Sequence, residues 1–109
     1  MDSKSKALKI AEILNDKKAE DIKIIRIDEV SSLADYFVIT EGNNNTHTRT
    51  LFEEVDEKLE GVIRKEKNNE WYVLDYGDVI VHIFYKKTRE FYNMERLWKD
   101  GEFLEFDLK

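Results

Sequence analysis

Two histidines, His47 and His82, and no cysteine set what covalent chemistry this 109-residue chain can attempt. Without a thiol there is no cysteine nucleophile, no thiolate metal site and no disulfide framework. His47 falls in the first turn of an expected helix, where the dipole disfavours a cation, and reads as an exposed polar residue. His82, between Val81 and Ile83, reads as a hydrogen-bonded structural residue rather than a base or ligand. The two lie far apart in sequence and give only a very weak zinc signal. Two-metal chemistry would need close carboxylates at a strand end. Glu54 and Asp56 diverge on a helix, Glu105 and Asp107 sit in the tail, and Asp75 and Asp78 bracket a turn. Glu41-Gly42-Asn43-Asn44-Asn45 precedes a helix, as phosphate loops do, but lacks their spaced glycines and lysine. The inventory therefore argues against an enzyme and implies no metal and no cofactor.

What remains is a surface. Trp71, Tyr72, Asp75 and Tyr76 lie on one hairpin, and Arg89, Tyr92, Arg96 and Trp98 on one helix. Trp, Tyr and Arg dominate interface hot spots. The turn is expected to leave Tyr76 at or near the surface beside carboxylates, a common feature of a binding patch. For Trp71 and Trp98, filling the core is an equally weighted alternative. The net charge of −6 comes with no basic stripe, so direct DNA binding is not expected. It suits a basic protein partner, although by itself such a charge need only keep a small protein soluble.

These residues need elements to hold them. The organising stretch is 70–84: an aromatic, β-branched strand over 71–74, a tight turn at Asp75-Tyr76-Gly77-Asp78, and an almost wholly apolar central strand over 79–84. Apolar spacing at Ala7, Ile10, Ala11 and Leu14 predicts a first helix over 3–16, capped by Ser3 or Ser5. Isoleucines predict a strand over 21–27, and Tyr36-Phe37-Val38-Ile39-Thr40 an interior strand. A long helix is expected over 45–66, with Leu51, Phe52, Val55, Leu59, Val62 and Ile63 as its stripe and Gly61 inside it. A polar loop over 65–69 follows. The last helix is expected over 88–99, capped by Thr88 and closed by Gly101, with Phe91, Met94, Leu97 and Trp98 as its apolar face. The tail over 102–108 reads as a short edge strand or a clipped extension. The order implies a mixed α/β sheet with helices packed on it, and a right-handed crossover from Tyr36 to Trp71 if those strands are parallel.

The length fits one domain over 1–109 with a modest core. No apolar run reaches the ~20 residues needed to span a bilayer, so no membrane association is expected. The first ten residues lack the apolar centre of a signal peptide. The missing cysteine fits a reducing, cytoplasmic setting.

Three runs then carry a resemblance: Ala34-Asp35-Tyr36-Phe37-Val38-Ile39, the thirteen residues from Glu70 to His82, and the ten from Arg89 to Trp98. In this order they resemble the ribosomal silencing factor, or Iojap-like, family. The resemblance extends from the first helix to Trp98. Glu66-Lys67, Asn43 and Asn44 depart from the family's usual residues, and nothing is carried onto the tail. The resemblance implies a nucleotidyltransferase-like topology without the catalytic carboxylates, and a homodimer when free. It also implies binding to the fourteenth protein of the large ribosomal subunit, where the small subunit must approach. Family contact residues fall on Trp71, Asp75, Tyr76, Arg89 and Tyr92. The expected function is thus a translational repressor that blocks subunit joining by its bulk. A ribosome-assembly or stability factor using the same surface is the alternative, and a nucleotide-binding transferase the remoter one.

Overall fold

A computed structural model describes residues 1–68 and 70–108, so Asn69, at the end of the expected polar loop, lies outside the described residues. In chain order the elements are α1 (Ser3–Asp16), β1 (Glu20–Arg26), β2 (Tyr36–Gly42), α2 (Asn45–Lys58), β3 (Arg64–Lys67), β4 (Trp71–Asp75), β5 (Val79–Tyr85), α3 (Lys86–Tyr92), α4 (Met94–Leu97) and β6 (Glu102–Phe103). Among the described residues they form one six-stranded sheet in the order β3-β4-β5-β2-β1-β6. The mixed α/β sheet expected from the sequence is therefore observed. Its parallel pair is β2 with β5, from Tyr36↔Val79 to Gly42↔Tyr85. The crossover that leaves β2 thus closes on β5, not on the strand that begins at Trp71. That strand, β4, returns antiparallel along β5. No described helix is long and apolar enough to cross a membrane.

Period-two alternation divides the apolar residues between two sheet faces. Val38, Tyr72, Leu74, Val79, Val81 and Ile83 pack with α1 and α2, around Ile10, Leu14, Leu51, Phe52 and Val55. Each fully buried side chain of this kind contributes about 1.5–3 kcal/mol. Ile25, Phe37, Ile39, Ile80 and Phe84 belong to a separate cluster on the other face. Met94 of α4, Trp98 just after it and Ala34 of the β1–β2 connection pack on that second face. One face of the sheet is sealed and the other is half-dressed.

Several expected boundaries shift for tertiary reasons. The long helix stops at Lys58, not near residue 66. Gly61 stands outside it at φ +100, a left-handed conformation that suits glycine. The chain is pulled away because Ile63 N–H donates to Asp75 O at 2.7 Å, after which Arg64–Lys67, placed in helix and loop by sequence, pairs along β4 as an exposed edge strand. The last expected helix breaks in two at Asn93, which sits at φ 46 and ψ 57. It starts earlier than Thr88, and no side chain caps it. Asp2, not Ser3 or Ser5, caps α1 by accepting from Ser5 N–H at 2.7 Å. Asn44 caps α2 and accepts from His47 N–H at 2.8 Å. Gly101 does not close a helix: a Cβ there would lie 2.7 Å from the Arg26 carbonyl oxygen, where the tail crosses β1. The tail does add an edge strand, pairing Phe103 with Ile25.

Candidate functional site

The half-dressed face carries a connected run of rings. Phe91 meets Tyr92 edge-on at 5.2 Å between centroids, and Tyr92 lies 4.8 Å from Trp71. Trp71 stacks on Phe84 at 4.9 Å and approaches His82 at 5.8 Å. His82 meets Phe37 at 4.8 Å, and Phe37 meets Trp98 at 5.2 Å. Trp71 and Trp98 are only partly buried, so each fills the core with one edge and shows the other to solvent. Phe91 is 82% exposed, Leu97 73% and Tyr92 44%. Large apolar groups left uncovered beside one another mark an interaction surface.

Phe91 and Leu97 are exposed against expectation. A continuous helix over 88–99 would have turned both inward. The left-handed residue at Asn93 resets the helical phase, so of the expected stripe only Met94 is fully buried. Asn is the common non-glycine residue for that conformation, and its place in mid-helix was the available signal. Ile80 also belongs here, partly buried on the same face. It sits two residues from His82 on β5, a spacing that places it there.

Arg89 is not at the surface. It is 5% exposed, and carboxylates from three other segments converge on its guanidinium. Nη1 donates to Glu41 at 3.1 Å, Nε and Nη2 each donate to Glu95 at 3.2 Å, and Asp21 lies 3.5 Å away. Its placement as an exposed contact is corrected for that reason. Arg89 joins α3 to the ends of β1 and β2 and to α4, and so sets where Phe91 and Tyr92 stand. Tyr76 is corrected as well. Alternation along β4 sends it to the helix-covered face with Tyr72 and Leu74, where it is 5% exposed. Its hydroxyl donates to Leu59 O at 2.9 Å, closing the C-terminal end of α2. Burial pushes the phenol pKa up to about 12, with Asp56 adding to the shift.

Asp75 lies on the same face as Trp71, four residues along β4. One of its oxygens accepts from Gly77 N–H at 2.8 Å and the other lies 3.8 Å from Arg64. His82 is the hydrogen-bonded structural residue expected: Nδ1 accepts from the Trp71 indole at 3.1 Å. Burial pulls its pKa down to about 3. His47 is fixed rather than free. Nδ1 accepts from Asn43 N–H at 2.9 Å, so Nε2–H donates to Lys17 O at 2.7 Å and ties α2 to the end of α1.

The mixed sheet thus has one face sealed by α1 and α2 and one face that carries the aromatic run. A family model for the ribosomal silencing factor during starvation matches residues 1–109, and the chain belongs to that family. It is 35% identical to the ribosomal silencing factor of Bacillus subtilis, over 98% of this chain and 96% of that one. The counterpart from Halalkalibacterium halodurans is 33% identical, over 86% of each chain. In three dimensions it is similar to a crystal structure of a Chromobacterium violaceum protein, with a TM-score of 0.84 at 25% identity, covering 100% of this chain and 95% of that one. Family membership carries a ribosome-associated, translation-regulating role.

Proposed function

We propose that the chain binds the large ribosomal subunit through its fourteenth protein and prevents the small subunit from joining by occupying the space between them. The observation that carries this is the uncovered aromatic run from Phe91 through Tyr92 and Trp71, on a chain whose family acts on ribosomes. Trp71 and Tyr92 are the apolar anchors, and removing a central one costs about 2 kcal/mol or more of binding. Asp75 faces the same way and accepts a charge-assisted hydrogen bond from a partner Lys or Arg. Arg89 serves this face from within by fixing α3, whereas Tyr76 holds the end of α2 on the opposite side. Inhibition by occupancy needs no turnover, so the chain acts as a repressor and not as a catalyst. In the free state the same apolar surface is covered by a second copy, giving a homodimer, and the working compartment is the cytoplasm.

The test mixes purified protein with separated large and small subunits and follows particle formation by sedimentation. Wild type suppresses joining in proportion to its occupancy of the large subunit, and Trp71→Ala does not. Unchanged joining at saturating occupancy overturns the steric reading and leaves an assembly or stability role at the same face. No binding to the large subunit overturns both.

A further inference from the structure

A second surface lies on the opposite side of the sheet. Beyond β6 the chain continues as an extended strap. Leu104 N–H donates to Ile24 O at 2.9 Å, and Leu104, Phe106 and Leu108 then turn inward against the sealed core. The alternate residues, Glu105 and Asp107, face outward. Between this strap and α1 runs an open groove of about 800 Å³. Leu8, 36% exposed, lies on its α1 wall, and the apolar edges of Leu104, Phe106 and Leu108 on the other. Glu12 and Asp16 rim one side and Glu105 and Asp107 the other, with Lys4 as the one cation among the described lining residues. Elsewhere, carboxylates such as Glu41, Glu54, Asp56 and Asp78 sit in ion pairs with Lys or Arg. Here Asp16, Glu105 and Asp107 have none among the described residues, and Glu12 has only an exposed one to Lys9 at 3.7 Å.

We propose that this groove is a docking site for a basic amphipathic helix of a partner protein. The chemistry is set by the arrangement: an apolar floor with uncompensated negative charge on both rims asks for an apolar stripe flanked on both sides by Lys or Arg. A helix presents that pattern, with anchors at i, i+3, i+4 and i+7. An extended segment does not, because alternation would aim its cations away from both rims. The wall from Lys4 to Asp16 is about 18 Å long at 1.5 Å per residue, enough for about three helical turns. Since α1 and the strap back the sealed face, the groove stays open while the aromatic face is occupied. The molecule can then hold two partners at once, and this site does not depend on what the aromatic face binds.

The experiment uses the full chain, ¹⁵N-labelled, and a synthetic 14-residue helical peptide with leucines at the four anchor positions and lysines between them. Titration is expected to shift amide signals of Leu8, Glu12, Asp16, Glu105 and Leu108, while a twin peptide with glutamates for the lysines leaves them still. A variant carrying Asp16→Lys, Glu105→Lys and Asp107→Lys, all exposed positions, binds the basic peptide at least tenfold more weakly. A charge-matched control carrying Glu53→Lys and Glu57→Lys on exposed positions of α2 and Glu60→Lys, exposed just beyond its end, binds it within twofold of wild type. Equal weakening by both triple variants reduces the effect to net charge and overturns the proposal. So do shifts confined to other surfaces. Shifts at Leu8 and Leu108 that follow protein concentration alone, without competition from the peptide, assign the groove to a second copy and overturn it too.

Discussion

The indole N–H of Trp71 donates to Nδ1 of His82 at 3.1 Å, across the β4–β5 pair. The ladder sets Val73 opposite His82 and Phe84 opposite Trp71, so the bonded residues are diagonal neighbours on one face. Because Nδ1 accepts, the ring proton resides on Nε2, which is buried and meets no partner among the described residues. The indole is therefore held by a neutral histidine, and the geometry of the aromatic face depends on that neutrality.

A pH dependence follows. The folded His82 pKa lies near 3, and burial is the cause. The unfolded ring has a pKa of about 6.5, so below that value the unfolded chain binds a proton that the folded chain refuses. Stability from this group is complete above pH 6.5 and falls as pH drops toward 3, by up to about 1.4 kcal/mol per unit. Urea denaturation of wild type and His82→Gln at pH 7.5, 6.0 and 5.0 checks it. The variant is the weaker at pH 7.5 but has the flatter slope; parallel slopes would remove His82 as the cause.

Tyr76 and Trp71 separate folding from docking. Tyr76→Ala empties a buried site and leaves α2 carbonyl oxygens without their donor, a loss of about 3–5 kcal/mol. Tyr76→Phe keeps the packing and loses about 1 kcal/mol. Trp71→Ala should retain a cooperative fold yet pellet poorly with large subunits. Thermal unfolding alongside co-sedimentation distinguishes the two; a Tyr76→Phe protein that is fully stable but fails to pellet would show that the phenol itself is a contact.

Arg89 offers a third check. Removing it strands Glu41, which is buried with it, and breaking a buried pair costs about 3–5 kcal/mol. Arg89→Met should therefore be far more damaging than Glu95→Gln, whose carboxylate is more exposed. Arg89→Lys should recover part of the stability but not the geometry, because an ammonium cannot reproduce the two-nitrogen contact with Glu95. Chemical denaturation ranks the three, and equal losses for Met and Lys would mean that charge is irrelevant there.

How much of this was legible in the sequence depends on range. Tyr36 to Thr40 and Val79 to Phe84 announced themselves because strands buried on both faces are apolar throughout, and Ser3–Asp16 because its stripe has helical period. Residue type marked Trp71, Tyr92, Tyr76 and Arg89 alike as surface candidates. The burial of Tyr76 and Arg89 was not legible, since it comes from groups distant in sequence: Leu59 and Val55 for the phenol, Glu41 and Asp21 for the guanidinium. Arg64–Lys67 has no strand composition, and pairing with β4 imposes its conformation.

Phe91 and Leu97 test the docking face without disturbing what lies beneath it. Both are largely exposed, so Phe91→Ser and Leu97→Ser should each leave stability within about 0.5 kcal/mol of wild type. Their effects on binding should differ. Phe91 touches Tyr92 and through it Trp71, whereas Leu97 follows the break at Asn93 and stands beside Trp98. If the partner centres on Trp71, Phe91→Ser weakens large-subunit binding severalfold, and Leu97→Ser, nearer the rim, weakens it less. Co-sedimentation at a series of protein concentrations gives both affinities. A larger loss for Leu97→Ser would move the centre of the contact toward Trp98 and Phe37, and two neutral substitutions would leave Trp71 without the surrounding apolar seal that an anchor requires.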